Sequence, residues 1–228
     1  VVPINTTHRN PQHTRLLAAL AAEESSTRLK AALAAGTHPE PEFVDTLIER
    51  CAVEPDFFVR DMLTWALTRL PSEITVPALR AELRCERAQA RSQALHTLSK
   101  IGDRTVWPAI PLSLLRDADD EVARSAWRAA VILVPDDEKR VLATELATQL
   151  GRGDRETQLS LSRAFVALGE VVEPVLRAAT TSREPTVRAH AKATQRLLDD
   201  PEAGFDLAVD AARRVAALGP EWEEKTTC

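Results

Sequence analysis

The sequence contains no tyrosine, four tryptophans, five phenylalanines and a single methionine. Sheets and sandwiches depend on aromatic and β-branched side chains, so this shortage argues against an all-β fold. Lysine is also scarce, confined to Lys30, Lys100, Lys139, Lys192 and Lys225, and arginine supplies most of the positive charge. That bias reads mainly as the imprint of a GC-rich genome. Cysteine occurs only as Cys51, Cys85 and Cys228, an odd number with no CxxC pair and no clustering with histidine. A disulfide framework and a structural zinc site are thereby disfavoured, and a reducing cytoplasm, in a bacterial setting, is the expectation. No apolar run approaches the roughly 18–20 residues of a membrane span. The polar stretch Val1–Gln12 holds no signal-peptide apolar core.

What is abundant points to helices. Hydrophobic residues make up 44% and charged residues 28% of 228 positions, the balance of a folded soluble chain rather than a disordered one. Alanine, leucine, arginine and glutamate dominate, and these favour helices and close helix packing. The formal charge of −5 disfavours a general nucleic-acid binder, whose footprint is usually basic. A local basic strip stays compatible with it.

An internal repeat decides the architecture. Val59, Ala90, Val122, Thr157 and Val187 are spaced by 31, 32, 35 and 30 residues. Four positions on stand Leu63, Ala94, Ala126, Leu161 and Ala191; seven on, Ala66, Thr97, Ala129, Ala164 and Thr194; eleven on, Leu70, Ile101, Leu133, Leu168 and Leu198. A stripe at 0, 4, 7 and 11 is the buried face of a three-turn helix. The small middle residues let a neighbouring helix approach closely. Polar turns such as Val53-Glu54-Pro55-Asp56 and Gly151-Arg152-Gly153-Asp154 precede these helices, and breakers such as Pro71, Gly102, Pro135 and Gly169 follow. Amphipathic first helices are predicted over 41–52, 73–84, 105–116, 136–150 and 171–181.

Val76-Pro77-Ala78-Leu79 and Glu173-Pro174-Val175-Leu176 in first helices, with Asp56-Phe57-Phe58-Val59-Arg60 and Glu184-Pro185-Thr186-Val187-Arg188 opening second helices, resemble the HEAT-repeat superfamily. The short repeats look like the phycobilisome-lyase type. The pattern thins where Ala123 holds the arginine place and where Thr157-Gln158 replace Val-Arg. The resemblance implies an all-α fold, a right-handed α-α superhelix of about five to six helix pairs. The chain is then one domain: an arm over 1–12, a capping helix pair over 14–35, five repeats over 40–200, a capping helix over 201–218 with Phe205, Ala208, Ala212 and Val215 on one side, and a tail over 219–228.

The resemblance also implies that second helices line a concave surface. Positions outside the core stripe there carry Trp65, His96, Arg124, Trp127, Arg128, Arg163 and Lys192, with Arg196 nearby. Aromatic and arginine side chains anchor binding surfaces and would clamp an acidic segment. The competing reading makes Trp65 and Trp127 wedges between repeats. Arg60, Arg91 and Arg188 are expected to be structural, in a ladder with turn acids such as Asp56, Asp119 or Glu184, as the superfamily implies. No catalytic motif, metal site or cofactor site can be assembled, and Gly151-Arg152-Gly153 is a turn rather than a phosphate loop.

The expected function is therefore a non-enzymatic scaffold for a protein partner, with nucleic acid disfavoured, no membrane, and a homodimer left open. One alternative comes from the superfamily's DNA-repair glycosylases, which Trp127, Arg128 and Arg163 echo. The carboxylate expected one turn on is replaced by Val131 after Trp127 and by Arg69 after Trp65, while Asp61 precedes Trp65. A bilin-lyase-like role is a further alternative.

Overall fold

The computed structural model describes residues 11–200. Within them the chain is helical throughout and contains no strand. It divides into two compact units that meet in sequence between Ile101 and Gly102. The predicted C-terminal cap helix and tail lie outside the described residues, as does most of the N-terminal arm.

The first unit holds α1 (Pro11–Leu20), α2 (Ser25–Thr37), α3 (Val44–Cys51), α4 (Phe57–Thr68), α5 (Ser72–Glu82) and α6 (Ala88–Ile101). Hairpin pairs form between α1 and α2, α3 and α4, and α5 and α6. The second helices α2, α4 and α6 pack in sequence, as do α3 and α5 behind them. The two layers follow from the stripe: Val59, Leu63 and Ala66 are fully buried on α4, as are Ala90, Ala94 and Thr97 on α6. A small residue sets the closest approach. A Cβ built on Gly36 would lie 2.2 Å from the Trp65 ring and 3.0 Å from the Ala66 Cα.

The second unit repeats this plan with α7 (Asp120–Leu133), α8 (Lys139–Ala147), α9 (Arg155–Leu168), α10 (Glu173–Ala179) and α11 (Pro185–Asp199). Here α7, α9 and α11 form the packed second-helix row, with α8 and α10 behind them. The stripe is buried as expected along α7 and α9, while Val187 and Leu198 on α11 are half-buried. One element differs from expectation. The helix predicted over 105–116 is two short 3₁₀ helices, Arg104–Ala109 and Leu112–Arg116. Pro108 and Pro111 each remove an amide donor, and Ile110 is driven into the extended region ahead of Pro111.

Turn acids start the second helices. Asp56 accepts hydrogen bonds from the Phe58 and Val59 amides, Asp119 from those of Glu121 and Val122, and Asp154 from that of Thr157. Each satisfies amides that the first helical turn leaves unpaired, an arrangement whose loss typically costs about 1 kcal/mol. No helix among the described residues is long and apolar enough to cross a membrane.

Candidate functional site

The arginines one place after the stripe anchor reach the backbone carbonyls of their own turns. Arg60 Nη1 donates to the carbonyls of Glu54 and Pro55, Arg91 Nη1 to those of Cys85 and Glu86, and Arg188 Nη1 to those of Ser182 and Arg183. Each guanidinium thus reaches back and satisfies two carbonyls in the turn ahead of its own helix. The expected ladder with Asp56, Asp119 and Glu184 is corrected accordingly. Asp56 and Asp119 are occupied capping their own helices, and Glu184 precedes Pro185, which needs no amide partner.

The same geometry exposes a repeat that the sequence pattern hid. Arg28 Nη1 donates to Ala22 and Glu23 carbonyls, so Thr27-Arg28 occupies the Val-Arg place of α2. The signal was available in the 32-residue step from Thr27 to Val59. Where the arginine is missing, substitutes appear. Gln158 donates to the Gly153 carbonyl. At Ala123, the Asp117 carbonyl is instead reached by Arg152 from the next repeat, which also pairs with the Asp120 carboxylate at 2.7 Å.

Each unit contains one turn that fastens three successive repeats. In the first unit it is Glu54, whose fully buried carboxylate accepts Arg28 Nε and Nη2, both at 2.7 Å, Arg50 Nε at 2.8 Å and the Asp56 amide at 2.9 Å. Gln89 on α6 closes the set by donating to the Cys51 and Glu54 carbonyls. Burial pushes the Glu54 carboxyl up, but hydrogen bonds from Arg28, the Asp56 amide and Arg50 outweigh it and hold it at about 2. Nearby Cys51 is buried, and that burial pushes its thiol up to about 12, which removes it as a nucleophile.

In the second unit the fastening turn is Gly151–Gly153. The Gly151 amide donates to His190 Nδ1 at 3.0 Å, and His190 Nε2 lies 3.0 Å from both the Gln158 carbonyl and Ser162 Oγ. Ser162 Oγ in turn lies 2.7 Å from Thr194 Oγ1, which donates to the His190 carbonyl. Gly151 has φ of +83°, and a Cβ there would meet the Val187 amide nitrogen at 3.2 Å, so glycine is required on both counts.

A buried Ser-His pair invites a catalytic reading that the sequence could not assemble. The hydrogen bonds exclude it. Nδ1 is an acceptor, so neutral His190 carries its proton on Nε2, the nitrogen facing Ser162, and cannot take the serine proton. Ser162 is also fully buried. Burial pushes His190 down to about 4, against the smaller upward effect of the Gln158 carbonyl, and keeps the ring neutral.

The predicted binding residues divide between these units. Trp127 is corrected: it is 0% exposed, and its Nε1 donates to the Leu115 carbonyl at 2.9 Å. It is the wedge, and it cannot stack on a base as a glycosylase reading would need. Trp65 is half-buried against Gly36, and His96 is half-buried on α6. On the second-helix row of the second unit, Arg128, Arg163 and Arg196 are exposed, while Arg124 and Lys192 are half-buried. Arg124 pairs with Glu121 at 2.8 Å and lies 3.7 Å from Glu156. Its Nε is buried without a hydrogen-bond partner. Arg128 donates to Ser125 Oγ, and partial burial, with Arg124 beside it, pushes its guanidinium down. Arg163 and Lys192 make no hydrogen bond or ion pair among the described residues.

Neither of the other candidate places for chemistry holds a reactive set. A cavity of about 650 Å³ lies between α9, α10 and α11, lined by Val166, Leu198, Glu170, Glu173, Arg177 and Asp199 among others. It brings together no nucleophile and general base. Among the described residues no three histidine, cysteine or acidic side chains are grouped to hold a metal ion.

No curated protein matches the sequence. Among solved structures, an engineered protein is 20% identical, with 87% of this chain and 96% of that chain covered and a TM-score of 0.44. The complex of CpcE and CpcF of phycocyanin lyase from Nostoc sp. PCC7120 is 18% identical, with 100% of this chain and 92% of that chain covered and a TM-score of 0.46. Residues 13–99 match the HEAT repeats family.

Proposed function

We propose that this protein is a non-enzymatic interaction scaffold whose second unit binds an acidic segment of a protein partner through Arg128, Arg163 and Lys192, with Arg124 positioned behind them. The observation that carries the reading is the state of these cations. Arg163 and Lys192 have no anionic partner among the described residues, and Arg128 sits partly desolvated beside Arg124. An incoming carboxylate would relieve the Arg124–Arg128 repulsion and restore hydrogen bonds lost to burial. Buried helix packing holds the three bearing helices α7, α9 and α11 as one row, so the cations are presented without a large ordering cost. In the first unit, Trp65 and His96 hold comparable register positions on α4 and α6, but their half-burial gives them a smaller share of any contact.

The test is fluorescence anisotropy with a labelled glutamate-rich peptide, a glutamine-rich control and a single-stranded oligonucleotide. The wild type should bind the acidic peptide in preference to the control. Reversing charge in Arg128→Glu, Arg163→Glu and Lys192→Glu together should weaken binding at least tenfold, and added salt should weaken the wild type toward the variant. Equal binding by wild type and variant would remove the assignment. Preferential oligonucleotide binding, lost in the same variant, would replace it with a nucleic-acid role.

A further inference from the structure

Phe57 and Phe58 open α4 with 65% and 70% of their surface exposed. Exposed Val53 and Pro55 extend the apolar surface along the same turn. The fold does not require aromatic residues here. The two positions ahead of the stripe anchor are Ser25-Ser26 on α2, Ala88-Gln89 on α6, Asp120-Glu121 on α7, Arg155-Glu156 on α9 and Pro185-Thr186 on α11. Only α4 places two large apolar side chains where its sister helices have small, polar or proline residues.

The pair is also held ready. Its rings meet edge to face with centroids 5.7 Å apart, and the Arg60 guanidinium lies 6.0 Å over the Phe57 ring while tied to the Glu54 and Pro55 carbonyls. Asp56 fixes the backbone beneath by accepting from the Phe58 amide. A rigid aromatic pair loses little rotamer freedom on docking, which is what favours aromatic residues at the centre of interfaces.

Charge around the pair selects the partner. The adjoining turn of α1–α2 carries exposed Glu23 and Glu24, and it is fastened to this one by Arg28, which bridges the Glu23 carbonyl and the Glu54 carboxylate. The α5–α6 turn, joined through Gln89 to the Glu54 carbonyl, carries exposed Glu86, and Asp61 is exposed one turn along α4. Of the cations on this edge, Arg60 and Arg91 are spent on turn carbonyls. Arg84 and Arg87 are exposed counterweights, but both sit on the α5–α6 side, which leaves the α1–α2 side acidic. From this apolar centre and acidic surround, we infer that the α3–α4 turn docks a protein partner through a segment that combines apolar side chains with lysine or arginine. The surface differs from the proposed acidic-segment site in its position and in the charge it selects, so either can fail without the other.

The experiment is selection of a random peptide library, displayed on phage, against the full chain and against a Phe57→Ser/Phe58→Ser variant. Both side chains are exposed, so the variant should keep its helicity and melt within about 2 °C of the wild type. The wild type should select peptides that combine Leu, Ile or aromatic residues with Lys or Arg. A synthetic peptide of that kind should bind the variant at least tenfold more weakly, and should lose affinity for the wild type as salt rises or when Glu23→Lys/Glu24→Lys is introduced. Failure to select, selection of acidic peptides, or equal binding to the serine variant would overturn the assignment. Concentration-dependent dimerisation of the wild type in sedimentation, abolished in the serine variant, would also overturn it by making a second copy the occupant.

Discussion

The two units use one plan and opposite chemistries at its centre. In the first, a buried carboxylate, Glu54, collects two arginines and ties α2, α4 and α6 around a single turn. In the second, the corresponding turn is fastened by a neutral imidazole, His190, and by Arg152 reaching back to the Asp117 carbonyl. Both solve the same problem. A helical repeat packs well through its apolar stripe, yet each turn leaves carbonyls and amides that the stripe cannot satisfy. The first unit meets that demand with a buried ion pair and the second with a buried neutral imidazole network and a partly exposed arginine, so acid and mutation should separate them.

The largest separation should come from Glu54→Ala. It leaves Arg28 buried without its carboxylate, and breaking a buried pair from one side costs about 3–5 kcal/mol. Urea unfolding followed through Trp65 should show the first unit lost early, while Trp107 and Trp127 continue to report a folded second unit. Replacing both members, Arg28→Met with Glu54→Leu, should recover much of the loss, because the charge left without its carboxylate is then Arg50, which is 20% exposed and can reach water, and not the buried Arg28. Equal loss in single and double variants would mean that packing, not charge, holds the turn.

Acid comes next. His190 falls to about 4 in the folded protein from an unperturbed 6.5, so its stabilising effect is complete above pH 6.5 and is lost as pH falls from 6.5 toward 4. Over that window the second unit should lose roughly 3 kcal/mol, since each tenfold weakening of proton binding corresponds to about 1.4 kcal/mol. Protonation also turns Nδ1 into a donor facing the Gly151 amide. Glu54 is likewise depressed, from 4.5 to about 2, so its stabilisation is complete above pH 4.5 and disappears only as pH falls from there toward 2. An acid titration read by tryptophan fluorescence should therefore melt the second unit first. His190→Phe should abolish the slope between pH 6.5 and 4, and loss of the first unit in that window would contradict the assignment.

The parts of this design that were legible in sequence are those written in periodicity. The stripe from Val59 to Leu70 and its sister copies placed the second helices, because a buried face must recur at helical spacing whatever it packs against. The segment over 105–116 misled because its apolar spacing is helical while Pro108 and Pro111 withdraw two amide donors. Trp127 shows a different limit. Its position on α7 lies off the stripe, yet packing against the 3₁₀ segment Leu112–Arg116 buries it completely, and the residue that receives its indole hydrogen bond lies in that irregular segment. Glu54 and His190 were invisible for a related reason. Their partners in neighbouring repeats lie 26–39 residues away, at distances fixed only once repeats are stacked. Phe57 and Phe58 could have been singled out by aligning the turns, since their sister positions are small, polar or proline.

Gly36→Ala tests the packing of the first unit apart from its charges. The added Cβ would need the Trp65 ring to move and would press on the Ala66 Cα, a backbone atom that cannot yield independently. Overpacking of this kind costs about 1–3 kcal/mol. A shifted Trp65 emission with the second unit unchanged is the expected signature.

The smallest effect should come from Arg152→Ala, and it sharpens the comparison most. Arg91 caps its own turn, whereas Arg152 caps the turn of the repeat before it, because Ala123 has no side chain to do so. Arg152 is also partly exposed and pairs with exposed Asp120, so solvent can replace much of what it provides. Its loss should cost about 1 kcal/mol, at the low end for a hydrogen bond to a charged group. The informative readout is which amides respond. Arg91→Ala should increase hydrogen exchange in its own helix pair, α5 and α6. Arg152→Ala should increase it at the start of α7, one repeat away from the mutated residue, because the bond it removes is the one that joins the repeats. Exchange confined to the Gly151–Gly153 turn would show that the second unit is fastened by His190 alone.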